Sequence, residues 1–344
     1  MIEQIDVVLG CSFGDEGKGK VVYDLLKRHQ FDLCVRFNGS GNAGHTIYEN
    51  DVKFVVHQLP VGILLSSVYN LISSDCLVDI SRLKLEIDEL KEKGIDIAGR
   101  LFISKACHII TSELIEYDRQ NNKIGTTGSG IGPTFSQKML RVGKRVEDYM
   151  DEIKTLGVEV VDMRKFWESD FIKNNITKIL LEGAQGFELD INWTNNYPYC
   201  TSSTCTLAGA INSGIPLNKI KNIYGISKAY DTYVGTLQFQ PDIYNDELTL
   251  IGDLGKEYGA TTGRRRQCNF LNLDNLIDAL KYNNCTTCII NKVDILRDLN
   301  IFKLYYEGHL LKFDTLIEMQ NFIINKLTFL KEEVIFSYNP YTII

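Results

Sequence analysis

The sequence predicts an α/β fold built on a large, mostly parallel sheet flanked by helices, and three observations carry that prediction. Short β-branched runs alternate with helical patterns along the chain. Most of the glycine-rich segments directly follow such runs, as expected of sheets that bind ligands at the carboxyl ends of their strands. No tandem repeat, low-complexity tract or Pro/Ser linker marks a boundary, so residues 1–344 are expected to form a single domain.

The strands are expected at IDVVLG, FDLCVRF, KFVVHQL, RLFISKA, KILLEGA, IKNIYGIS and CTTCIINKVDI. Helices are expected at VVYDLLKRH, SRLKLEIDELKEKG and LDNLIDALKYN. With 44% apolar residues in 344, the chain can bury a substantial core. The net charge of −7 argues against a surface built for nucleic-acid phosphates, so the expected partners are small molecules. No run reaches the roughly 20 apolar residues of a membrane span, and MIEQIDVVLG lacks the order of a secretion signal. A cytoplasmic location with no membrane partner is the expectation. The nine cysteines are irregularly spaced, as reduced thiols would be. Cys285 and Cys288, in CTTCII, read as small strand residues, because a zinc site would need a second such pair.

Chemistry-bearing segments begin with VVLGCSFGDEGKGK, which runs from a strand through Gly10, Gly14, Gly17 and Gly19 into a helix. Glycines let backbone amides approach an anion, the helix N-terminus adds its dipole, and Lys18 or Lys20 supplies a charge. The segment departs from GxxxxGK[ST], because Lys18 precedes Gly19 and no hydroxyl follows. The Asp15–Glu16 pair inside it suits Mg²⁺ binding or proton transfer beside phosphates. A second strand-end loop, RFNGSGNAGHTIY, carries Asn42, His45 and Thr46, with His45 expected as an exposed acid or charge stabiliser. In IGTTGSGIGPT, Thr126, Thr127 and Ser129 offer hydroxyls to phosphate oxygens beside free amides. YGATTGRRRQ places three consecutive arginines after a turn, where alternate guanidinium groups aimed inward suit carboxylate or phosphate. Asn291-Lys292-Val293-Asp294 follows an apolar strand in an NKxD pattern, whose aspartate can accept from guanine N1 and N2 where adenine has no equivalent donors.

Taken in order, GDEGKGK, NAGHT, GTTGSGIGP, EGAQG, YPYCTSS, GATTGRRR and NKVD resemble the adenylosuccinate synthetase family over most of the chain. The resemblance implies a plan like that of phosphate-loop NTPases and a GTP-dependent ligase. Such an enzyme transfers the γ-phosphoryl of GTP to O6 of IMP, then lets L-aspartate displace phosphate from C6 to give adenylosuccinate. Matched by motif, Asp15 would remove the N1 proton and bind Mg²⁺, with the Gly44 carbonyl as a further metal ligand. His45 would stabilise the departing diphosphate, and Lys18 would hold phosphate oxygens. Gly17, Gly19, Lys20, Thr46, Lys292 and Asp294 would bind GTP. Asn42, Thr127, Gln185 and Thr201 would hold the substrate nucleotide, Thr127 and Thr201 at its 5′-phosphate, and Thr262, Arg264 and Arg266 would clamp L-aspartate.

Family members are homodimers in which an arginine reaches the neighbouring subunit's substrate phosphate. The arginine pair expected before Gly143 is Arg141-Val142 here, which leaves Arg141 or Arg145 for that role. Ser129 stands where the family usually has arginine, and Ser337-Tyr338-Asn339-Pro340 stands where a Ser-Thr-Gly-Pro segment packs on guanine. A phage sister activity takes dGMP and makes N6-succino-2-amino-2′-deoxyadenylate for diaminopurine DNA, which would put the protein in a host cytoplasm. The compact length and the EGAQGF and YPYCTSS wording lean that way, whereas Asp15 and NKVD lean to IMP and GTP. A GTP-hydrolysing switch would leave TTGRRR and GTTGSGIGP without a role.

Overall fold

Central strands with consecutive apolar residues, such as Leu33-Cys34-Val35 and Ile179-Leu180-Leu181, have no polar face along those positions to offer solvent and are stable only when covered on both sides. The computed structural model describes residues 1–49, 52–122, 124–241, 245–259 and 263–343, and covers them in that way. Nine strands make one sheet: β1 (Gln4–Gly10), β2 (Leu33–Arg36), β3 (Tyr69–Ile72), β4 (Leu101–Ser104), β5 (Glu159–Val161), β6 (Lys178–Glu182), β7 (Ile220–Lys228), β8 (Thr287–Asn291) and β9 (Val334–Phe336). Their order from one edge is β9-β8-β7-β1-β6-β2-β3-β4-β5, and each neighbouring pair is parallel.

Alternation along β1 sends Ile5, Val7 and Leu9 to one face and Val8 to the other. The first face packs on Leu276, Ala279 and Leu280 of the Leu273–Tyr282 helix and on Met319 and Ile323 of the Leu316–Lys326 helix. The second packs on Val21, Val22 and Leu25 of the Lys18–His29 helix and on Leu83, Ile87 and Leu90 of the Ile80–Glu92 helix. Asp79 and Asn272 begin two of these helices by accepting from the amides of Arg82 and Asn275.

One expected strand falls elsewhere. The first four residues of KFVVHQL, with Val52 before them, form the strand Val52–Val56 of an antiparallel hairpin with His45–Glu49, outside the central sheet. Its first residues are exposed or half-buried, so this segment lacks the two-sided burial of an inner parallel strand. A four-stranded sheet of Tyr230–Tyr233, Gln267–Asn272, Lys303–Tyr306 and His309–Lys312 stands beside the main one and carries the chain that leaves the arginine run. All nine cysteines are free thiols; Cys285 and Cys288 are both buried, Cys288 in β8 as expected and Cys285 two residues before that strand begins, outside it. No helix among the described residues is long and apolar enough to cross a membrane.

β1, β2, β6 and β8 all end at the same edge. They deliver GDEGKGK, the 37–44 segment, GAQG and Lys292 there. Gly225 of β7 lies beneath this edge, where a Cβ would stand 2.4 Å from Leu280 Cδ2 and 2.8 Å from Cys11 Sγ. Gly225→Ala is therefore expected to lower unfolding free energy by about 1–3 kcal/mol, as overpacking does in filled cores; urea denaturation measures it.

Candidate active site

A buried carboxylate shapes the first loop. Glu16 is fully buried, and its Oε1 accepts from the amides of Gly14 at 2.9 Å and Ser12 at 3.2 Å. Its Oε2 pairs with the Lys18 ammonium, so the lysine expected on phosphate oxygens is turned into the loop. Asn291 Nδ2 donates to the Glu16 carbonyl at 2.7 Å, which joins the NKVD segment to the phosphate loop. The GAQG turn packs against it without room for a side chain, since a Cβ on Gly186 would lie 2.3 Å from the Ser12 carbonyl oxygen. Lys20 donates to Ser337 Oγ at 2.8 Å and to the Asn339 carbonyl at 2.9 Å. Burial lowers its pKa to about 8 against the pull of Asp294.

His45 corrects one expectation: it is 6% exposed, not a solvent-facing acid. It opens the hairpin beside the start of the Lys18–His29 helix, where its Cβ would be 2.8 Å from a Cβ on Gly19. Its Nδ1 lies 2.5 Å from Glu182 Oε1 and 2.9 Å from Arg36 Nη1. Burial, then the Arg36 charge, lowers its pKa to about 4 despite Glu182. Burial alone would raise Glu182, but Arg36 and His45 outweigh it and hold the carboxyl at about 2. His45 is thus a neutral imidazole at pH 7 on a fixed ion pair.

The residues expected on the substrate nucleotide fall largely together. Gln185 Nε2 donates to Asn42 Oδ1 at 3.4 Å, Ser203 Oγ to Gln185 Oε1 at 3.5 Å, and Thr201 Oγ1 is 3.4 Å from Ser203 Oγ. Thr127 is exposed and donates to Ser129 Oγ at 2.9 Å. Its loop is anchored on Asp118, which accepts from the Gly130 amide at 2.8 Å and the Thr126 hydroxyl at 3.1 Å. The arginine run meets this loop: Arg264, itself exposed, donates to the Gly125 carbonyl at 3.3 Å.

Only part of the inward aim expected of the run is present. Arg265 faces outward to Asp253 at 2.7 Å, while Arg266 is mostly buried, with Nε 2.8 Å from Asp15 Oδ2 and Nη1 2.5 Å from Glu257 Oε2. Arg266 therefore meets carboxylates of the protein itself. Thr262 lies outside the described residues. Arg141 is exposed at the end of the Ile131–Leu140 helix, where it caps the helix in a left-handed conformation. Asp15, Gln185 and Lys292 all hold positive φ, of 59°, 57° and 65°, a conformation that costs non-glycine residues energy and gathers at working sites. Asp294, in the first turn of the Val293–Leu299 helix, offers a carboxylate with no ion pair or hydrogen bond among the described residues.

These loops follow one another in the order of a known family. A profile described as adenylosuccinate synthetase matches residues 7–158 and 154–307. The chain belongs to the adenylosuccinate synthetase family. The adenylosuccinate synthetase of Phocaeicola vulgatus is 37% identical over 341 residues, covering 87% of this chain and 80% of that protein. That of Candida albicans is also 37% identical, over 85% of this chain and 78% of its own. In structure, the fully ligated adenylosuccinate synthetase of Plasmodium falciparum superposes with a TM-score of 0.84 at 26% identity, covering 98% of both chains. The cyanophage S-2L succinoaminodeoxyadenylate synthetase, bound to dGMP and dATP, shares the fold with a TM-score of 0.78 at 21% identity, over 99% of this chain and 94% of its own. The protein is accordingly a GTP-dependent ligase of the adenylosuccinate synthetase type.

Within this adenylosuccinate synthetase chain, the residues that sequence reading did not single out are Arg36, Glu182, Ser203, Asp118 and Glu257. A charged residue closing an apolar strand is the signal for the first two: Arg36 ends β2 and Glu182 ends β6. Glu257 carries no such signal.

The buried imidazole sets a pH dependence. Its folded pKa of about 4 lies below the ordinary 6.5, so the unfolded chain takes up the proton first as pH falls. The His45 contribution is complete above pH 6.5 and is lost toward pH 4, by roughly 3 kcal/mol. His108, Glu188 and Asp231 also titrate away from their ordinary ranges but remain in both proteins of the comparison. Subtracting the denaturation curves of His45→Asn from those of the parent between pH 4 and 7 should leave this slope.

Proposed function

We propose that this site joins L-aspartate to C6 of IMP with GTP as phosphoryl donor, giving adenylosuccinate, GDP and phosphate. The observation that carries the reading is the contact of Asp15 with Arg266, since it puts the carboxylate of the phosphate loop and the arginine run expected on aspartate around one point. A neutral lactam oxygen is a poor nucleophile. Asp15, with its side chain 32% accessible, would take the N1 proton of IMP so that O6 can attack the γ-phosphorus. Capping O6 with phosphate then makes a leaving group that the aspartate amine can displace. Asn42, Gln185, Thr201 and Thr127 would hold the nucleotide, Thr262 and Arg264 the aspartate carboxylates, and Arg266 would complete that clamp while orienting Asp15.

Gly17, Gly19, Lys20 and Thr46 would line the donor phosphates, with Lys18 held on Glu16 beneath them until an incoming phosphate competes for it, and Asp294 with Lys292 would read guanine. His45 is neutral before substrates bind; an anionic diphosphate beside it would favour the imidazolium and so let it stabilise the leaving group. The available metal donors are hard oxygens, the Asp15 carboxylate and the Gly44 carbonyl, and no group of three or more His, Cys, Asp or Glu among the described residues could form a complete cage. That set fits Mg²⁺, which favours one or two protein oxygens with phosphates and water completing its shell. Held there, Mg²⁺ would neutralise phosphate charge. Exposed Met139, Leu140 and Val142 around Arg141 support a homodimer in which Arg141 reaches the neighbouring subunit's nucleotide.

The purine is tested by offering IMP and dGMP in parallel with GTP and aspartate. IMP is expected to be preferred, with a pocket left with an unpaired polar group by dGMP losing about 1–3 kcal/mol; faster aspartate-dependent turnover of dGMP overturns the choice. Asp15→Asn should keep GTP affinity and lose roughly 10³-fold or more in kcat, read by initial rates and calorimetric titration. Arg264→Leu should chiefly raise the KM for aspartate, which steady-state kinetics at saturating nucleotides resolve.

A further inference from the structure

Glu257 precedes the arginine run by a few residues and is fully buried. Its carboxylate gathers groups from three different parts of the chain. Tyr230 donates to Oε1 at 2.6 Å, and Lys292 Nζ lies 3.9 Å from the same oxygen. Arg266 Nη1 at 2.5 Å and Lys228 Nζ at 3.4 Å reach Oε2. Burial would raise its pKa, but Lys228, Arg266 and Lys292 together hold it at about 2. A buried carboxylate facing three cations is costly to disturb, because removing it leaves like charges together in a poorly solvated place.

The identity of the cations gives this cluster its meaning. Lys228 closes β7, next to the phosphate loop that follows β1. Lys292 belongs to NKVD and also donates to the Gly255 carbonyl at 2.7 Å. Arg266 ends the arginine run, and its backbone amide donates to the Glu257 carbonyl at 2.9 Å. The guanidinium is planar, so fixing Nη1 on Glu257 fixes where Nε points. That direction is toward Asp15 Oδ2, 2.8 Å away, at an angle that leaves Nε short of a formed hydrogen bond.

We propose that Glu257 is a positioning residue of the ligase, a shared buried anion that sets Arg266 against Asp15 and ties the arginine run to the guanine-reading Lys292. The inference rests on the ligase reading and adds to it a coupling between the donor and acceptor sides of the site. A carboxylate whose only role was to neutralise Lys228 would leave substrate constants alone. One that orients Arg266 and Lys292 must move the constants of both substrates.

The test is full steady-state kinetics of Glu257→Gln, Tyr230→Phe and the parent, with GTP, IMP and aspartate varied in turn, alongside circular dichroism. Glu257→Gln should lower kcat at least tenfold and raise the KM for aspartate and for GTP at least threefold each. Tyr230→Phe leaves every charge in place and should raise the same two constants by a smaller factor. Adding Arg266→Lys to Glu257→Gln should cost much less than Arg266→Lys costs alone, because the two act through one contact. Unchanged KM values with only a smaller active fraction overturn the proposal, as do independent, multiplying effects in the double variant. If Glu257→Gln does not fold, Tyr230→Phe decides: raised constants support the coupling, and unchanged constants overturn it. Absence of aspartate-dependent turnover in the parent with either IMP or dGMP defeats the ligase reading and this one with it, and is distinguished by appearing before any substitution is made.

Discussion

Burial of the Glu16 carboxylate is the constraint on which the site is built. By accepting from the amides of Ser12 and Gly14 and holding the Lys18 ammonium, it closes the turn between β1 and the following helix into one shape. That shape exposes Asp15 in a left-handed conformation and lets the GAQG turn dock. Glu182 acts in the same manner one strand away, holding Arg36 and His45, and Glu257 does so for the arginine run. Three anions without solvent access hold the cations and the imidazole of the site in place.

This arrangement has an electrostatic consequence. A cluster of unpaired cations would repel itself apart before substrate arrived, whereas Lys18, Arg36, Lys228, Arg266 and Lys292 here already face a buried carboxylate. Incoming phosphates and carboxylates then add to networks that are oriented in advance, which is the condition under which charge stabilisation is most effective.

Much of this was legible in the sequence because it depends on local rules. Parallel strands announced themselves through short apolar runs such as Ile179-Leu180-Leu181, and the loops through glycines at strand ends. Asp15, Gln185, Asn42 and Thr201 were named by motif, and the structure brings the last three into one hydrogen-bonded chain. What escaped was short or long-range. β3, β5 and β9 have four, three and three residues, too few for a periodic signal. The inward turn of His45 depends on Arg36 and Glu182, the latter 137 positions away, and nothing near NAGHT announces it. Glu257 sits among polar neighbours in GKEYG and reads as a surface residue until Lys228, Tyr230 and Lys292 close over it.

The bond of Lys20 to Ser337 and Asn339 joins the first helix to the last strand of the sheet. During synthesis the phosphate loop leaves the ribosome more than three hundred residues before those acceptors do. Until they arrive, the Lys20 ammonium lacks both of these acceptors. The contact that anchors the start of the first helix therefore forms only once nearly the whole chain has been made.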